Sequence, residues 1–170
     1  MVGSAALPGR VPYVIERVSD CAPAIYCAGK VNSLGCTPAI EASGTPSASA
    51  ASGFVVRSLQ VRNQKVGILL YGNSGRASLP FSGGLLCLNG PLRRVQGLNS
   101  GGTGLPAADC SGVFAVDLNA FRAGALGGNP ASFLGVPGSV VQCQFWGRDP
   151  GLAAPNSTQL SNALEYVVEN

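Results

Sequence analysis

Short apolar runs with a period of two, separated by glycine, proline and serine, are the feature that most limits the fold of this chain. The 170 residues include 24 glycines, 12 prolines and 17 serines, and these alternate with apolar segments instead of forming tracts. Glycine and proline end regular elements after a few residues. The pattern therefore predicts many short strands joined by turns.

Period-two alternation is clearest in residues 54–63. One face carries Val55, Leu59 and Val61, and the other carries Ser58, Gln60 and Arg62. This alternation is typical of a strand with one buried face. The same criterion, applied along the chain, predicts strands at 11–18, 54–63, 66–71, 112–119, 139–146 and 163–168. One helical turn is predicted at 120–126, with Asn119 as its N-cap and Gly127-Gly128 at its end.

The dipeptide Asn89-Gly90 lies between the apolar residues Leu88 and Leu92. Asn-Gly accepts the positive φ angles that a two-residue hairpin turn needs. We therefore expect the segments on either side of it to form a β-hairpin.

The fold class that follows is all-β: an antiparallel two-sheet sandwich, jelly-roll-like and stabilised by disulfides. Leu, Ile, Val and Phe make up 45 of the 170 residues, enough for one core. We expect an extended N-terminal arm at 1–20 and a single sandwich domain at 21–170. The apolar residues of the arm are those that could pair with a neighbouring sheet: Val11, Tyr13, Val14, Ile15 and Val18.

Six cysteines, an even number, predict a disulfide framework. They are Cys21, Cys27, Cys36, Cys87, Cys110 and Cys143. Six cysteines allow 15 pairings, and a bond between Cys87 and Cys110 is favoured because it would close a glycine-rich loop. The alternative is buried free thiols in a cytosolic core. Disulfides favour an extracellular or cell-surface location.

Charge and hydropathy argue against two classes of partner. Charged residues are 11% of the chain, the net charge is +3, and no basic cluster exceeds Arg93-Arg94. A nucleic-acid binder needs denser positive charge, so no nucleic-acid partner is predicted. No stretch approaches 18 consecutive apolar residues, so no membrane span is predicted either.

Histidine is absent from the chain, which removes the commonest general base and the commonest metal ligand. Nucleophilic serine or cysteine chemistry therefore lacks its usual partner. The sequence predicts a non-enzymatic protein with no catalytic residue, no cofactor and no metal site. A carboxylate-dependent glycosidase remains an alternative, with four candidate acids: Asp109, Asp117, Asp149 and Glu165.

Candidate ligand contacts are few. Trp146 and Tyr71, together with Tyr13, could stack on a sugar ring or pack inside the protein. Asn156-Ser157-Thr158 matches the N-glycosylation sequon and follows Pro155, which predicts a surface loop.

Residues 26–168 carry a set of short strings that resemble a β-rich module found at the C-terminal end of large secreted proteins of planctomycetes and myxobacteria. The strings are YC at 26–27, KVNSLGCTP at 30–38, GTPSAS at 44–49, DCSG at 109–112, NAF at 119–121, GALGG at 124–128, QFWGRDPG at 144–151 and LSNALEY at 160–166. The resemblance implies secretion from a bacterium and a binding or structural module. It transfers no catalytic residue.

Two departures from that family pattern stand out. Members usually carry a cysteine just after the last strand, whereas this chain ends Val168-Glu169-Asn170. We therefore expect Cys21 to take the place of that cysteine as a disulfide partner. The large upstream region that the module normally follows is also missing from these 170 residues.

These observations predict an extracellular structural or adhesive module. We expect it to self-assemble as a filament subunit when its N-terminal strand adds to the sheet edge of another copy. The first alternative is a carbohydrate-binding module, whose partner would be a polysaccharide or a cell surface.

Overall fold

The computed structural model describes residues 22–170. The predicted arm at 1–20 and Cys21 lie outside the described residues. Ten strands, one short α-helix and one 3₁₀ turn make up the described fold: β1 Ala24–Tyr26, β2 Ala39–Gly44, β3 Phe54–Val61, β4 Val66–Gly72, β5 Arg76–Phe81, β6 Gly84–Leu88, β7 Arg93–Asn99, β8 Gly112–Asp117, α1 Leu118–Arg122, the 3₁₀ turn Ser132–Gly135, β9 Val140–Arg148 and β10 Thr158–Val167.

The strands form three antiparallel units. A five-stranded sheet has the order β1-β10-β9-β4-β7, a three-stranded sheet has the order β2-β3-β8, and β5 and β6 pair as a hairpin. Every strand pairing is antiparallel. The all-β, antiparallel sandwich predicted from the alternation is confirmed.

The main core lies between the two larger sheets. Val141, Cys143 and Phe145 alternate along β9 and are fully or almost fully buried. Their partners include Phe114 of β8, whose ring stacks on Phe145 with centroids 6.0 Å apart. The faces predicted for residues 139–146 are therefore those that the structure shows.

The β5–β6 hairpin forms a third layer, over the outer face of the five-stranded sheet. Gln142 and Gln144 occupy the outer face of β9 and yet are buried. The Gln144 side chain accepts a hydrogen bond from Cys87 N (3.0 Å) and donates one to Leu85 O (3.0 Å). In a sandwich of only two sheets, both glutamines would be exposed to solvent. Gln144 is instead bonded to the hairpin backbone, and Gln142 accepts from Gly75 N (3.0 Å), just before β5.

The prediction of a hairpin turn at Asn89-Gly90 is wrong. Neither residue has a positive φ, and the flanking strands β6 and β7 pair with β5 and β4 instead of with each other. The two-residue turn lies at Ser82-Gly83, where φ is 49° and 73°. Positive φ at both central positions is the condition for a type I′ turn, and here Ser82 adopts it in place of asparagine.

The predicted helix is present as α1, but it begins two residues earlier than expected and ends at Arg122, with Ala123 as its C-cap, instead of at Gly127-Gly128. Its N-cap is Asp117, whose side chain accepts a hydrogen bond from Ala120 N, so the prediction of Asn119 as the cap is wrong. Asn119 is buried and instead binds the loop before β3, accepting from Ser47 N (3.0 Å) and donating to Thr45 O (3.0 Å).

The disulfides are Cys27–Cys87 and Cys36–Cys110. The predicted Cys87–Cys110 bond is wrong, because each of these cysteines faces a partner in the segment before β2. Cys143 is a free, buried thiol, which corrects the prediction that all six cysteines form disulfides. Its side chain belongs to the apolar face of β9. Burial raises the pKa of the Cys143 thiol well above its usual range.

Candidate functional site

The outer face of the five-stranded sheet is only partly covered by the hairpin. The covered part lies over β10 and the first half of β9, where Gln144, Leu160 and Ala163 are buried. Toward the end of β9, Trp146 points to the same outer face and is only half-buried. It pairs directly with Ile68 of β4. The hairpin thus leaves the corner formed by β9, β4 and β7 uncovered.

We call this uncovered corner the Trp146 platform. It is an open depression of about 490 Å³. Its lining side chains come from three adjacent strands: Trp146 and Arg148 from β9, Val66 and Ile68 from β4, and Arg94, Gln96, Leu98 and Asn99 from β7. Apolar, aromatic, amide and guanidinium groups therefore meet on one surface.

The alternation of β9 brings the aromatic ring and one cation together. Trp146 and Arg148 are two residues apart on one strand and so share a face. The Arg148 Cζ atom lies 5.6 Å from the centroid of the Trp146 ring, within the distance at which a cation interacts with an indole face.

A second depression, of about 560 Å³, adjoins the Trp146 platform. Arg94 and Gln96 line both depressions, and Arg93 lines the second. The rest of its wall comes from Leu92, Val95, Phe121 and the loop after α1, residues 126–129. The residues that line the two depressions include three arginines and no aspartate or glutamate.

The prediction of Tyr71 as a stacking residue is wrong. Tyr71 is fully buried in the core, where its ring makes edge contacts with Phe121 and Phe133 at centroid distances of 5.9 Å. Its hydroxyl accepts a hydrogen bond from Ala131 N at 3.2 Å. Odd-numbered positions of β4 face the core, so Tyr71 points away from the platform to which Ile68 belongs.

Asn156, the sequon residue, is exposed on the loop before β10. Its backbone is fixed by Lys30, whose ammonium donates to the carbonyls of Ser82 (2.6 Å), Asn156 (2.6 Å) and Thr158 (2.8 Å). Lys30 thereby joins the hairpin turn to this loop. Glycosylation of Asn156 stays a prediction.

Two of the four candidate acids form ion pairs. Asp149 is fully buried, and its carboxylate accepts from Arg62 (2.6 Å) and from the Ser33 hydroxyl and amide (2.7 Å each). Burial alone would raise the pKa of Asp149, but the hydrogen bonds from Arg62 and Ser33 outweigh it and hold that pKa below its usual value. The hydrogen bond from Arg76 (2.7 Å) likewise lowers the pKa of Glu165.

The other two acids are bound by nearby donors. Asp117 caps α1 and accepts from Gly53 N (2.7 Å), and Asp109 accepts from the Ser111 hydroxyl and amide. Within residues 22–170, no three side chains of the types that ligate metals come together as a possible ion site. Each acid therefore has an evident local bonding partner.

No helix in residues 22–170 is long and apolar enough to cross a membrane. The arm residues Val11, Tyr13, Val14, Ile15 and Val18 lie outside the described residues.

Fold and surface together define a disulfide-bonded antiparallel β-sandwich that carries an open aromatic and basic platform. No family model, curated protein or solved structure matches the chain. The resemblance to the C-terminal modules of secreted bacterial proteins therefore stays a prediction. The two disulfides are compatible with an extracellular location.

Sequence reasoning found Trp146 but missed its partners on the platform. Arg148 could have been found, because it lies two residues further along a strand that was predicted with the correct faces. Arg94 and Ile68 carried no such signal, since only the pairing order of β9, β4 and β7 brings them beside Trp146.

Proposed function

We propose that this chain is a non-enzymatic extracellular adhesive module that attaches to a polysaccharide or a cell surface through the Trp146 platform. The observation that carries the proposal is the uncovered corner of the five-stranded sheet, where a half-buried tryptophan lies among amide and guanidinium groups. Sugar rings stack on indole, and amides satisfy their hydroxyls. The hairpin covers the neighbouring outward positions Gln144, Leu160 and Ala163.

The test is binding of the full chain to an array of purified polysaccharides, compared with a Trp146→Ala variant. Loss of the ring should weaken binding about tenfold or more, equivalent to about 1.4 kcal/mol. Phe81→Ala is the matched control, because Phe81 is an aromatic residue on the hairpin, 37% exposed and outside the platform. Equal loss in both variants, or full binding by Trp146→Ala, would contradict the proposal.

Self-assembly by strand addition is a second candidate function. β1 begins shortly after the predicted arm and forms one edge of the five-stranded sheet, where it pairs only with β10 among the described strands. An edge strand offers N–H and C=O groups to which an extended segment can add. The arm of another copy would supply that segment.

This candidate predicts that Ile15→Pro in the full chain reduces oligomers, because proline removes a ladder donor from the arm. The control is Ser4→Pro, which lies outside the predicted strand at 11–18. Light scattering after gel filtration measures the mass of each variant. If Ile15→Pro forms oligomers of unchanged size, the arm does not mediate self-assembly.

A further inference from the structure

The arginines of the described chain divide into two groups by their partners. Arg57, Arg62 and Arg76 each lie within 4.0 Å of a carboxylate. Arg93, Arg94, Arg122 and Arg148 form no ion pair with the acids of residues 22–170. Arg122 donates to Ala50 O (2.8 Å), whereas the other three line the two adjoining depressions. Two arginines without a carboxylate partner, Arg94 and Arg148, therefore lie on the Trp146 platform itself.

We infer that the Trp146 platform binds an acidic polysaccharide, whose carboxylate or sulfate groups pair with Arg94 and Arg148 while a sugar ring contacts Trp146. The inference rests on the proposed glycan-binding function and names the chemical class of the ligand. Guanidinium groups present planar, forked donors that match carboxylate and sulfate oxygens. A neutral glycan would leave both cations without a counterpart.

The spacing of the platform favours a polymer over a single sugar. Arg148 and Trp146 lie on β9, whereas Arg94 lies on β7, with β4 between them. Neighbouring strands are about 4.8 Å apart, so Arg94 and Arg148 are separated by about two strand spacings across the sheet. Arg94 lies in register with Leu70 and Gln144, so four residues, about 13 Å, also separate it from Arg148 along the strands. A chain of several sugar units would reach Trp146 and both cations, whereas a single ring would not.

The amides and apolar groups of the platform favour a glycan over a nucleic acid as the ligand. Gln96 and Asn99 line the depression together with Ile68 and Val66, which gives partners for hydroxyl groups and for the apolar faces of sugar rings. A nucleic acid needs more phosphate contacts than two or three arginines provide. With a net charge of +3 for the whole chain, acidic sugar chains fit better than a polyphosphate backbone.

The experiment compares charged polymers with neutral polymers of the same backbone, using the full chain. Polygalacturonate is matched with its methyl ester, and dextran sulfate with dextran; a mixed-sequence DNA duplex is the third kind of polyanion. We expect binding to a charged polymer at least tenfold tighter than to its neutral match, weakened as NaCl rises from about 0.05 M to about 0.5 M. Tight binding to polygalacturonate identifies carboxylate as the ligand group, and tight binding to dextran sulfate identifies sulfate.

The variants Arg94→Gln and Arg148→Gln should each weaken binding to the charged polymer about tenfold, and should weaken it more than they weaken binding to the neutral match. Arg57→Gln is the matched control, because Arg57 is an exposed arginine on the three-stranded sheet. Thermal unfolding of each variant checks that the fold is retained.

Three results would overturn the inference. In the first, the charged polymer and its neutral match bind equally, and Trp146→Ala abolishes binding whereas the arginine variants do not. This result would support the proposed glycan-binding function and contradict an acidic ligand. In the second, no glycan binds, charged or neutral, which would contradict both the proposed function and the acidic ligand. Equal affinity for the DNA duplex and the acidic glycans would show that the platform attracts any polyanion.

Discussion

Gly67 and Gly147 lie directly opposite each other on β4 and β9, and the ring of Phe114 fills the space that their missing side chains leave. A Cβ atom on Gly147 would lie 2.7 Å from Phe114 Cε2, and one on Gly67 would lie 2.7 Å from Trp146 O and would also clash with the Phe114 ring. This glycine pair allows an aromatic residue of the three-stranded sheet to pack on the backbone of the five-stranded sheet.

We expect Gly67→Ala and Gly147→Ala each to lower the free energy of unfolding by about 1–3 kcal/mol, because a methyl group overpacks this contact. Urea unfolding measures the change. Gly104→Ala is the control, since no atom lies within 4 Å of its Cβ position. In a Phe114→Leu background the cost of Gly67→Ala should fall, and an unchanged cost would contradict the proposed fit.

The parts of the fold that the sequence predicted are those in which one face of a strand is buried against the other sheet. Val141 and Phe145 follow this rule. The face predicted for β3 is wrong: Phe54, Val56 and Ser58 are buried, whereas Val55 and Leu59 are only half-buried. A bulge between Ser58 and Val61 shifts the alternation, so that Val61 is buried again. The third layer could not be predicted, because Gln142 and Gln144 have the polarity of an exposed face and are buried only by hydrogen bonds to a hairpin distant in sequence. Local alternation carries no information on what covers the outer face.

The errors at the turn and at the disulfides have a common cause. The Asn89-Gly90 dipeptide has the residue types of a hairpin turn, but strand pairing with β4 and β5 decides the path of the chain there. The bond to Cys27 likewise depends on the hairpin folding back over β10, not on the length of the loop before Cys110. Short-range signals fail where contacts between distant segments determine the geometry.

The disulfide pattern predicts the result of a non-reducing tryptic map. Cleavage after lysine and arginine places Cys27, Cys36, Cys87 and Cys110 in four different peptides. We expect linked peptides for Cys27–Cys87 and for Cys36–Cys110. A peptide that joins Cys87 to Cys110 would contradict the structure.

Cys143 should resist alkylation in the native protein at pH 7 to 8. Its thiol is fully buried, and burial raises its pKa, so neither access nor thiolate is available. Iodoacetamide should label Cys143 once urea unfolds the chain, as measured by the mass of its tryptic peptide. Rapid labelling without denaturant would show that the inner face of β9 is open.

The ion pair between Asp149 and Arg62 should make stability depend on acid pH. Because the pKa of Asp149 is lower in the folded state than in the unfolded state, its contribution is complete above pH about 4 and is lost as pH falls through the folded-state pKa. Asp149→Asn leaves Arg62 unpaired and should cost about 3–5 kcal/mol at pH 7. The difference from the unsubstituted chain should shrink at pH 3.

The control for this experiment is Glu41→Gln. Glu41 and Arg57 form an exposed pair at 3.9 Å, and such pairs contribute about 0–1 kcal/mol. Urea unfolding at both pH values measures the two variants side by side. If Asp149→Asn costs no more than Glu41→Gln at pH 7, the buried pair does not stabilise the loop after β9.

Gln144 should determine whether the hairpin stays attached to the sheet. Its side chain is fully buried, accepts from Cys87 N and donates to Leu85 O and to Ser161 O at 2.7 Å. Gln144→Leu keeps most of the volume but leaves these backbone groups without a partner, at about 1–3 kcal/mol for each unsatisfied group. We expect lower stability and faster hydrogen exchange at the Cys87 amide than in the unsubstituted chain. The control is Gln96→Leu, at an exposed position of β7, which should change neither stability nor exchange. If the Cys87 amide still exchanges slowly in Gln144→Leu, the Cys27–Cys87 disulfide is sufficient to hold the hairpin in place.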